Sequence, residues 1–383
     1  MSEYQYYEFQ AIDRCLTEEE MSELRHFSSR ADITPYSFTN EYSWGNFKGD
    51  EDLWMEKYFD GFLYYANWGT HILKLRLPSA LLDLNTVQSY CDGDQFSVRQ
   101  IDDKLILDFV SQNEDGGEWE EDLRLAPFLS LRTDLIRGDR RCLYLGWLSG
   151  LQNDEYDDEE FEPSVPPGLQ NLNPALTQLA DFLQIDFDLI NAAAQMSPSL
   201  EDMTPNAQDL QKWVCTLSQD EKDSMLKEIL ENSLKGDQTS ALQQICRFSK
   251  AWQSFQEGKN EKPKKRTVGQ LLRESENVRQ TRIQLEAKKA AAELAERQRL
   301  QRIAREKRLN EIMGREEKIW NQIEVLASEK KAKSYDQAID LLVDLRDLAQ
   351  REKSTDFSAK FDALKQRHSS KSSFIQHLRN VSV

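Results

Sequence analysis

The stretch THILKLRLP, residues Thr70–Pro78, alternates between aliphatic and basic side chains. On an extended chain these side chains fall on two faces, with Leu73, Leu75 and Leu77 on one and Lys74 and Arg76 on the other. A period of two is typical of a β-strand that buries one face and leaves the other in water. We therefore predict a half-buried strand here, and with it a sheet in the first part of the chain.

Sequence on both sides of this strand predicts more strands. Tyr6–Ile12 and Ile33–Tyr42 have the aromatic and β-branched content of strands. The segments QFSVRQI and KLILDFV, joined at Asp102 and Asp103, have the pattern of a β-hairpin.

Helices are predicted from capping residues and apolar spacing. A capping box at Thr17 begins a helix. Spacing of three and four predicts another over residues 50–66, although Gly61 leaves the alternative that residues 62–66 form a strand. The mixture of strands and helices predicts an α+β fold, with helices packed on a small sheet.

The rest of the chain is predicted to be mostly α-helical. Only one glycine, Gly314, and no proline occur from Gln270 to Lys330, which predicts a helix much longer than the globular average. The predicted divisions are an α+β domain at 1–152, an acidic, proline-rich linker at 153–168, a small helical domain at 169–256, a basic hinge at 257–269, a long charged helix resembling a coiled-coil arm at 270–330, and a C-terminal helical docking module at 331–383.

Composition narrows the class of protein. The 383 residues contain no run of about twenty apolar residues, so we expect no transmembrane helix and no membrane partner. The start of the chain lacks a secretion-signal pattern, and the five cysteines are spread singly. We therefore expect a cytoplasmic protein with reduced thiols, no structural metal site and no cofactor.

Charge is distributed unevenly along this acidic chain, whose net charge is −18. Residues 1–258 hold 20 lysines and arginines against 48 aspartates and glutamates, whereas residues 259–383 hold 29 against 19. This asymmetry indicates different partners for the two parts, or attraction between them. One hypothesis is that the acidic tract at 154–162 masks the basic helix.

The segment AELAERQRLQRIAREKR, Ala292–Arg308, places six basic residues in seventeen. Three interpretations stay open. The helix is simply solvated and held by Glu–Arg pairs, or it binds DNA or RNA through counterion release, or it binds a protein, which includes self-association. Residues 259–310 contain no aromatic residue for base stacking, so any nucleic-acid contact is expected to be non-specific.

Candidate binding residues follow from these patterns. The cations expected to meet an anionic partner are Lys264, Lys265, Arg266, Arg297, Arg299, Arg302, Arg305, Lys307 and Arg308. Tryptophan favours interface anchors, which makes Trp44, in a loop beside Gly45, a candidate for a protein interface. The remaining interface candidates, from a predicted apolar stripe in the tail, are Leu341, Leu345 and Leu348.

An alternative function is a metal-dependent, nuclease-like enzyme in the N-terminal domain. Asp102, Asp103 and Lys104 supply carboxylates that could hold Mg²⁺ and a lysine that could steady a phosphate. The pattern is short, and a hairpin turn explains the same residues. Because the sequence holds no Walker A, HExxH, GxSxG or Rossmann motif, we expect no catalytic residues.

Two resemblances to known families add to this interpretation. YYEFQAIDRCLTEEEM, NEYSWGNFKGD and YANWGTHILKLRLP resemble an uncharacterised family of bacterial proteins, and that likeness implies no activity. The tail YDQAIDLLVDLRDLA with FDALKQRHSSKSSFIQHL is similar to the helical tail of some SWIM-type zinc-finger proteins. The zinc ligands of that family are absent, so the resemblance implies only a helical docking module. Together the patterns predict a non-catalytic interaction or scaffold protein whose basic helical arm engages an anionic protein or non-specific nucleic acid.

Overall fold

The computed structural model describes residues 4–91, 94–112, 123–153, 157–200, 207–235, 265–329 and 331–378. Contacts divide the chain into two units, residues 1–281 and 282–383. The first is an α+β unit, and the described part of the second is helical, as the sequence predicts.

The first unit is built on one antiparallel sheet, with strands in the order β2-β3-β1-β4-β5-β7-β6 among the described residues. The strands are β1 (Gln5–Gln10), β2 (Asp32–Thr34), β3 (Ser37–Tyr42), β4 (Gly61–Ala66), β5 (Thr70–Pro78), β6 (Phe96–Ile101) and β7 (Lys104–Gln112). The helices are α1 (Glu18–Phe27), α2 (Glu51–Lys57), α3 (Leu84–Gln88), α4 (Leu129–Ile136), α5 (Arg141–Gly150), α6 (Pro174–Phe182), α7 (Phe187–Ala194), α8 (Ala207–Thr216) and α9 (Gln219–Lys235). A long helix, α10 (Val268–Ile312), begins in this unit and continues into the second.

Helices cover both faces of the sheet. The leucines of β5 share one core with residues of α4 to α7, and the first turns of α10 join it through Val268 and Leu271. On the opposite face Phe9 packs against Trp54 of α2 and stacks on Phe62, and Leu24 of α1 belongs to the same cluster. The sheet is therefore a central layer between two helical layers.

The prediction of a half-buried β5 is wrong, because its polar face is covered as well. Lys74 is 4 % exposed and Arg76 is 5 % exposed. Each basic group has a carboxylate partner within the fold: Lys74 Nζ lies 2.9 Å from Asp108 Oδ2, and Arg76 Nη2 lies 2.8 Å from Asp60 Oδ1. Buried cations are tolerated when they are paired in this way.

Two predicted elements differ from the structure in their bounds. The helix predicted over 50–66 ends at Lys57 as α2, and β4 follows, so the alternative raised by Gly61 is confirmed. A helix would direct residues 62–65 to different sides of one cylinder, whereas the strand places them alternately into the two cores. The strand predicted over 33–42 is two strands, β2 and β3, with a turn at Pro35 and Tyr36.

Other local predictions are confirmed. Thr17 and Glu20 form the capping box of α1, and β6 and β7 form the hairpin that turns at Asp102 and Asp103. The helices α6 and α7 share the core of the sheet, so the division at residue 281 differs from the separate helical domain expected at 169–256.

The described part of the second unit is a helical cluster. After α10 it contains α11 (Glu316–Ser328), α12 (Ala332–Glu352), α13 (Asp356–Arg367) and α14 (Ser372–Leu378). Leu309 and Ile312, at the end of α10, pack in one core with residues of these helices. The helix predicted over 270–330 is interrupted at Gly314, whose φ of +76° suits glycine and ends α10 two residues earlier.

Candidate functional site

The base of α10 is fixed in the first unit by a buried ion pair. Arg266 is 4 % exposed and donates hydrogen bonds to both carboxylate oxygens of Glu162, at 2.8 Å each. It also donates to the carbonyl of Ala192, at 3.1 Å, and to Glu274. Its donors are therefore used within the fold, and the prediction that Arg266 meets an external anion is wrong.

The described parts of the predicted hinge and linker meet at this base. Phe161 pairs with Thr267 in an isolated β-bridge, and the amide of Val268 donates to the carbonyl of Glu160, at 2.9 Å. Lys265 is exposed, with its Nζ 5.7 Å from the centre of the Phe161 ring. Lys264 lies outside the described residues. The described acidic residues of the linker thus contact the beginning of α10, and the masking hypothesis for the remainder of the helix stays a hypothesis.

The middle of α10 is exposed on all sides. Each residue from 279 to 304 is exposed, and we call this range the exposed segment. Glu–Arg pairs run along it: Arg282 Nη1 lies 3.2 Å from Glu286 Oε1, and Arg299 Nη1 lies 3.5 Å from Glu296 Oε2. Such pairs support a solvated helix by a few tenths of a kcal/mol each.

The predicted cations near the end of α10 divide into two groups. We call the cation cluster the four exposed cations that stand apart from the ion pairs with α12, namely Arg297, Arg299, Arg302 and Lys307. The other two, Arg305 and Arg308, form ion pairs with α12. Arg305 Nη2 lies 2.6 Å from Asp347 Oδ2, and Arg308 Nε lies 2.9 Å from Asp344 Oδ2.

These ion pairs stand beside an apolar contact. Leu309 and Ile312 of α10 belong to the same core as Leu345 and Leu348 of α12. Arg305 also donates to Asp344. The arginines therefore help to hold the end of α10 on α12, and the cations that face solvent outside these ion pairs are those of the cation cluster.

The tail leucines have a structural place. Leu345 and Leu348 are buried in the core of the second unit, and Leu341 packs against it from a half-buried position. The prediction of Leu345 and Leu348 as residues of an external interface is wrong, because they are used to hold α12 against its neighbours. Sequence periodicity identifies such a stripe without telling what covers it.

Trp44 remains a candidate for an interface. Its side chain is 68 % exposed in the loop after β3, and the guanidinium carbon of Arg30 lies 4.9 Å from the ring centre. The arginine covers part of the ring, and the rest faces solvent. Trp44 lies in the first unit, whereas the cation cluster lies in the second.

The nuclease-like pattern lies on the hairpin between β6 and β7. Asp102 has a φ of +51° at the turn, and the carbonyl of Asp103 accepts from the amide of Ser79, at 2.7 Å. Within the described residues, no three His, Cys, Asp or Glu side chains are grouped so that they could hold a metal ion. The structure places Asp102 and Asp103 in the turn and Lys104 at the start of β7.

A charged cluster that the sequence does not reveal joins the sheet to α2. Lys74 Nζ lies 2.6 Å from Asp52 Oδ1, and Arg99 Nη2 lies 2.6 Å from the same oxygen. Burial acts to lower the pKa of Lys74, but Asp108 and Asp52 outweigh it and raise this pKa. Burial raises the pKa of Asp108 in spite of Lys74. The four residues come from four separate elements, α2, β5, β6 and β7, so spacing along the chain could not identify them as a cluster.

The sequence analysis also does not identify Asp344 and Asp347, the partners of Arg305 and Arg308. Their three-residue spacing on one face of a predicted helix matches the spacing of the two arginines, which is the one signal that the sequence holds.

The described helices include none with the length and apolar character needed to span a membrane.

No family model, no curated protein and no solved structure matches this chain.

Proposed function

We propose that this chain is a cytoplasmic, non-catalytic interaction or scaffold protein whose basic helical arm engages an anionic partner through the cation cluster. The partner is a protein, or a nucleic acid bound without sequence readout. The observation that carries this proposal is the unbroken exposure of residues 279–304, which keeps Arg297, Arg299 and Arg302 in water.

Charge supports the same conclusion. Residues 297–308 carry six basic side chains and one acidic side chain, Glu306. Two of the six form ion pairs with α12, so the four side chains of the cation cluster are left to meet a partner. Exposed cations attract anionic surfaces over about one Debye length, about 8 Å at physiological salt. Within the cluster, Arg299 lies 3.5 Å from Glu296, and an exposed pair of this kind contributes only a few tenths of a kcal/mol.

The test uses the full chain and removes the cluster as a unit. A variant with glutamine at positions 297, 299, 302 and 307 is compared with the wild type on immobilised heparin and on duplex DNA and RNA at two salt concentrations. The expected result is weaker retention and a weaker salt dependence, because fewer counterions are released.

A matched control removes the same number of charges elsewhere in the second unit. Its substitutions, all at exposed lysines, are Lys318→Gln, Lys331→Gln, Lys333→Gln and Lys365→Gln. Equal retention of the two variants would show that total charge, and not the cation cluster, governs the interaction. For a protein partner, capture from the native host is compared for the same variants, with nuclease treatment to separate direct from nucleic-acid-bridged contacts.

A further inference from the structure

A short pattern occurs twice near the end of α10. Arg299, Arg302 and Ile303 give the pattern Arg-x-x-Arg-aliphatic, and Arg305, Arg308 and Leu309 repeat it six residues later. The two copies have the same local chemistry on the same helix. Their surroundings in the structure differ, and that difference suggests what the first copy binds.

The second copy shows how the pattern is recognised. Its arginines donate to Asp344 and Asp347, which stand three residues apart on α12. Its Leu309 is 6 % exposed and shares a core with the leucines that follow each of these aspartates in the sequence, Leu345 and Leu348. The surface that satisfies the pattern is therefore a helix with the sequence Asp-Leu-x-Asp-Leu.

The first copy is uncovered. The Arg299 side chain is 68 % exposed, Arg302 is exposed, and Ile303 is 51 % exposed. Leu300, within the same pattern, is also exposed and adds a second aliphatic group. The two copies differ three residues after the aliphatic position, where the first copy has Glu306 and the second has Ile312. In the first copy Leu300 supplies the additional apolar group instead.

Helix geometry places the two copies on different sides of α10. Six residues advance the helix by about 9 Å and turn it by about 240°. A ligand on the first copy therefore approaches from a side that α12 does not occupy, and it need not displace α12. The two sites are compatible on one helix.

We propose that residues 299–303 form a docking site for an acidic amphipathic helix of a partner protein, with carboxylates directed to Arg299 and Arg302 and aliphatic side chains packed on Leu300 and Ile303. This inference rests on the proposed function and names the class of its partner. The proposed ligand presents carboxylates and aliphatic side chains as α12 does, and it binds a face of α10 that is open to solvent.

Two other occupants fit less well. A phosphate backbone pairs with the arginines but offers no apolar cover for Leu300 and Ile303. A second copy of the helix brings the same excess of positive charge, so two such segments repel. Its acidic face on α12 is already engaged by its own Arg305 and Arg308.

The experiment measures binding of a labelled peptide to the full chain by fluorescence anisotropy. The peptide has the sequence of residues 332–352, and a second peptide carries asparagine at the positions of Asp344 and Asp347. We expect saturable binding of the first peptide and at least tenfold weaker binding of the second. Arg299→Gln with Arg302→Gln is expected to weaken binding at least tenfold, and Ile303→Ala alone is expected to weaken it several-fold.

A matched control removes equivalent groups from the other end of the exposed segment. Arg282→Gln with Lys288→Gln, and Ile283→Ala alone, are expected to leave peptide binding unchanged, since Ile283 is exposed to the same degree as Ile303. An absence of peptide binding, or binding that does not respond to Ile303→Ala, would overturn the inference.

A 20-base-pair duplex separates this inference from the proposed function. If the duplex binds through the cation cluster and the peptide does not bind, the arm is a polyanion site, and only the acidic-helix partner is wrong. If neither binds and no host protein is captured through the cluster, both proposals are wrong. Binding of the peptide that is sensitive to Ile303 supports both.

Discussion

Arg266 and Glu162, separated by 104 positions in the sequence, form a fork-like ion pair in the interior of the first unit. The pair joins the acidic linker to the residues that immediately precede α10, and Tyr144 donates a further hydrogen bond to the same carboxylate. A buried carboxylate and guanidinium are costly to separate, because either group alone would be charged and without water. This contact fixes where the long helix starts.

Removal of one partner is therefore expected to destabilise the first unit. Glu162→Ala leaves Arg266 buried without its principal acceptor, and the expected loss is about 3–5 kcal/mol. Urea denaturation followed by circular dichroism measures it. Glu276→Gln, at an exposed position of α10, is the control and should change stability by no more than about 0.5 kcal/mol. Equal effects of the two substitutions would show that the buried pair does not anchor the helix.

Asp60 gives a prediction about pH. Its carboxylate accepts from the amides of Ile12 and Asp13, at 2.6 and 2.9 Å, and from Arg76. Burial acts to raise the pKa of Asp60, but Arg76 and the two amides outweigh it and hold this pKa below its usual value. The folded pKa thus lies below the unfolded value of about 3.9. The stabilisation is present above that value and is lost as the pH falls through the folded pKa.

Asp60→Asn is accordingly expected to lower the free energy of unfolding at pH 7 and to lose less stability on acidification. The difference between wild type and variant should narrow from pH 5 towards pH 3. Denaturant titrations at four pH values across this range measure the difference. Two curves that stay parallel would mean that Asp60 titrates alike in the folded and unfolded chains.

Leu309 and Ile303 lie on the same helix but differ in burial. Leu309 is buried in the second core, whereas Ile303 is half exposed. Leu309→Ala is expected to cost about 2–5 kcal/mol, because it leaves a cavity where α10 meets α12. Ile303→Ala should be close to neutral, since alanine is a good helix former and little packing is lost. Hydrogen exchange of the α12 amides provides the measurement: faster exchange in both variants, or in neither, would contradict this placement of the core.

Gly314 is a site where the backbone demands glycine. Its φ of +76° lies in the left-handed region, and no heavy atom lies within 4 Å of the position that a Cβ would take. A substitution here is therefore strained by conformation and not by contact. Gly314→Ala is expected to lower stability by about 1–2 kcal/mol, with a smaller loss for Gly314→Asn. Thermal unfolding of both variants tests this; no difference from wild type for alanine would mean that the turn tolerates an alternative backbone.

Local sequence was sufficient where a feature depends on neighbours along the chain. The capping box at Thr17, the β6–β7 hairpin and the strand character of Thr70–Pro78 all depend on such neighbours. The burial of Lys74 could not be inferred in the same way, because alternation looks the same whether water or a carboxylate covers the polar face. Its partners Asp52 and Asp108 come from α2 and β7.

The cations of α10 show the same limit of local sequence, which does not reveal contacts between residues that are distant in the chain. Arg302 and Arg308 occur in identical local patterns, yet one faces solvent and the other meets Asp344. Charge counting identified the basic segment but treated all of its cations alike. Only the position of α12 separates those that hold the second unit together from those that remain accessible.

This separation leads to a prediction that compares Arg302 with Arg305. Arg302 is exposed, so Arg302→Gln should reduce affinity for duplex DNA and lower the slope of log K against log salt by about 0.9 for the contact removed. Arg305 already pairs with Asp344 and Asp347, so Arg305→Gln should change DNA affinity less and loosen α12 instead. Anisotropy titrations at several salt concentrations, with hydrogen exchange of α12 in parallel, measure both effects. A larger loss of DNA binding from Arg305→Gln would mean that the ion pairs with α12 open when a polyanion binds, because only then would Arg305 be free to contact phosphate.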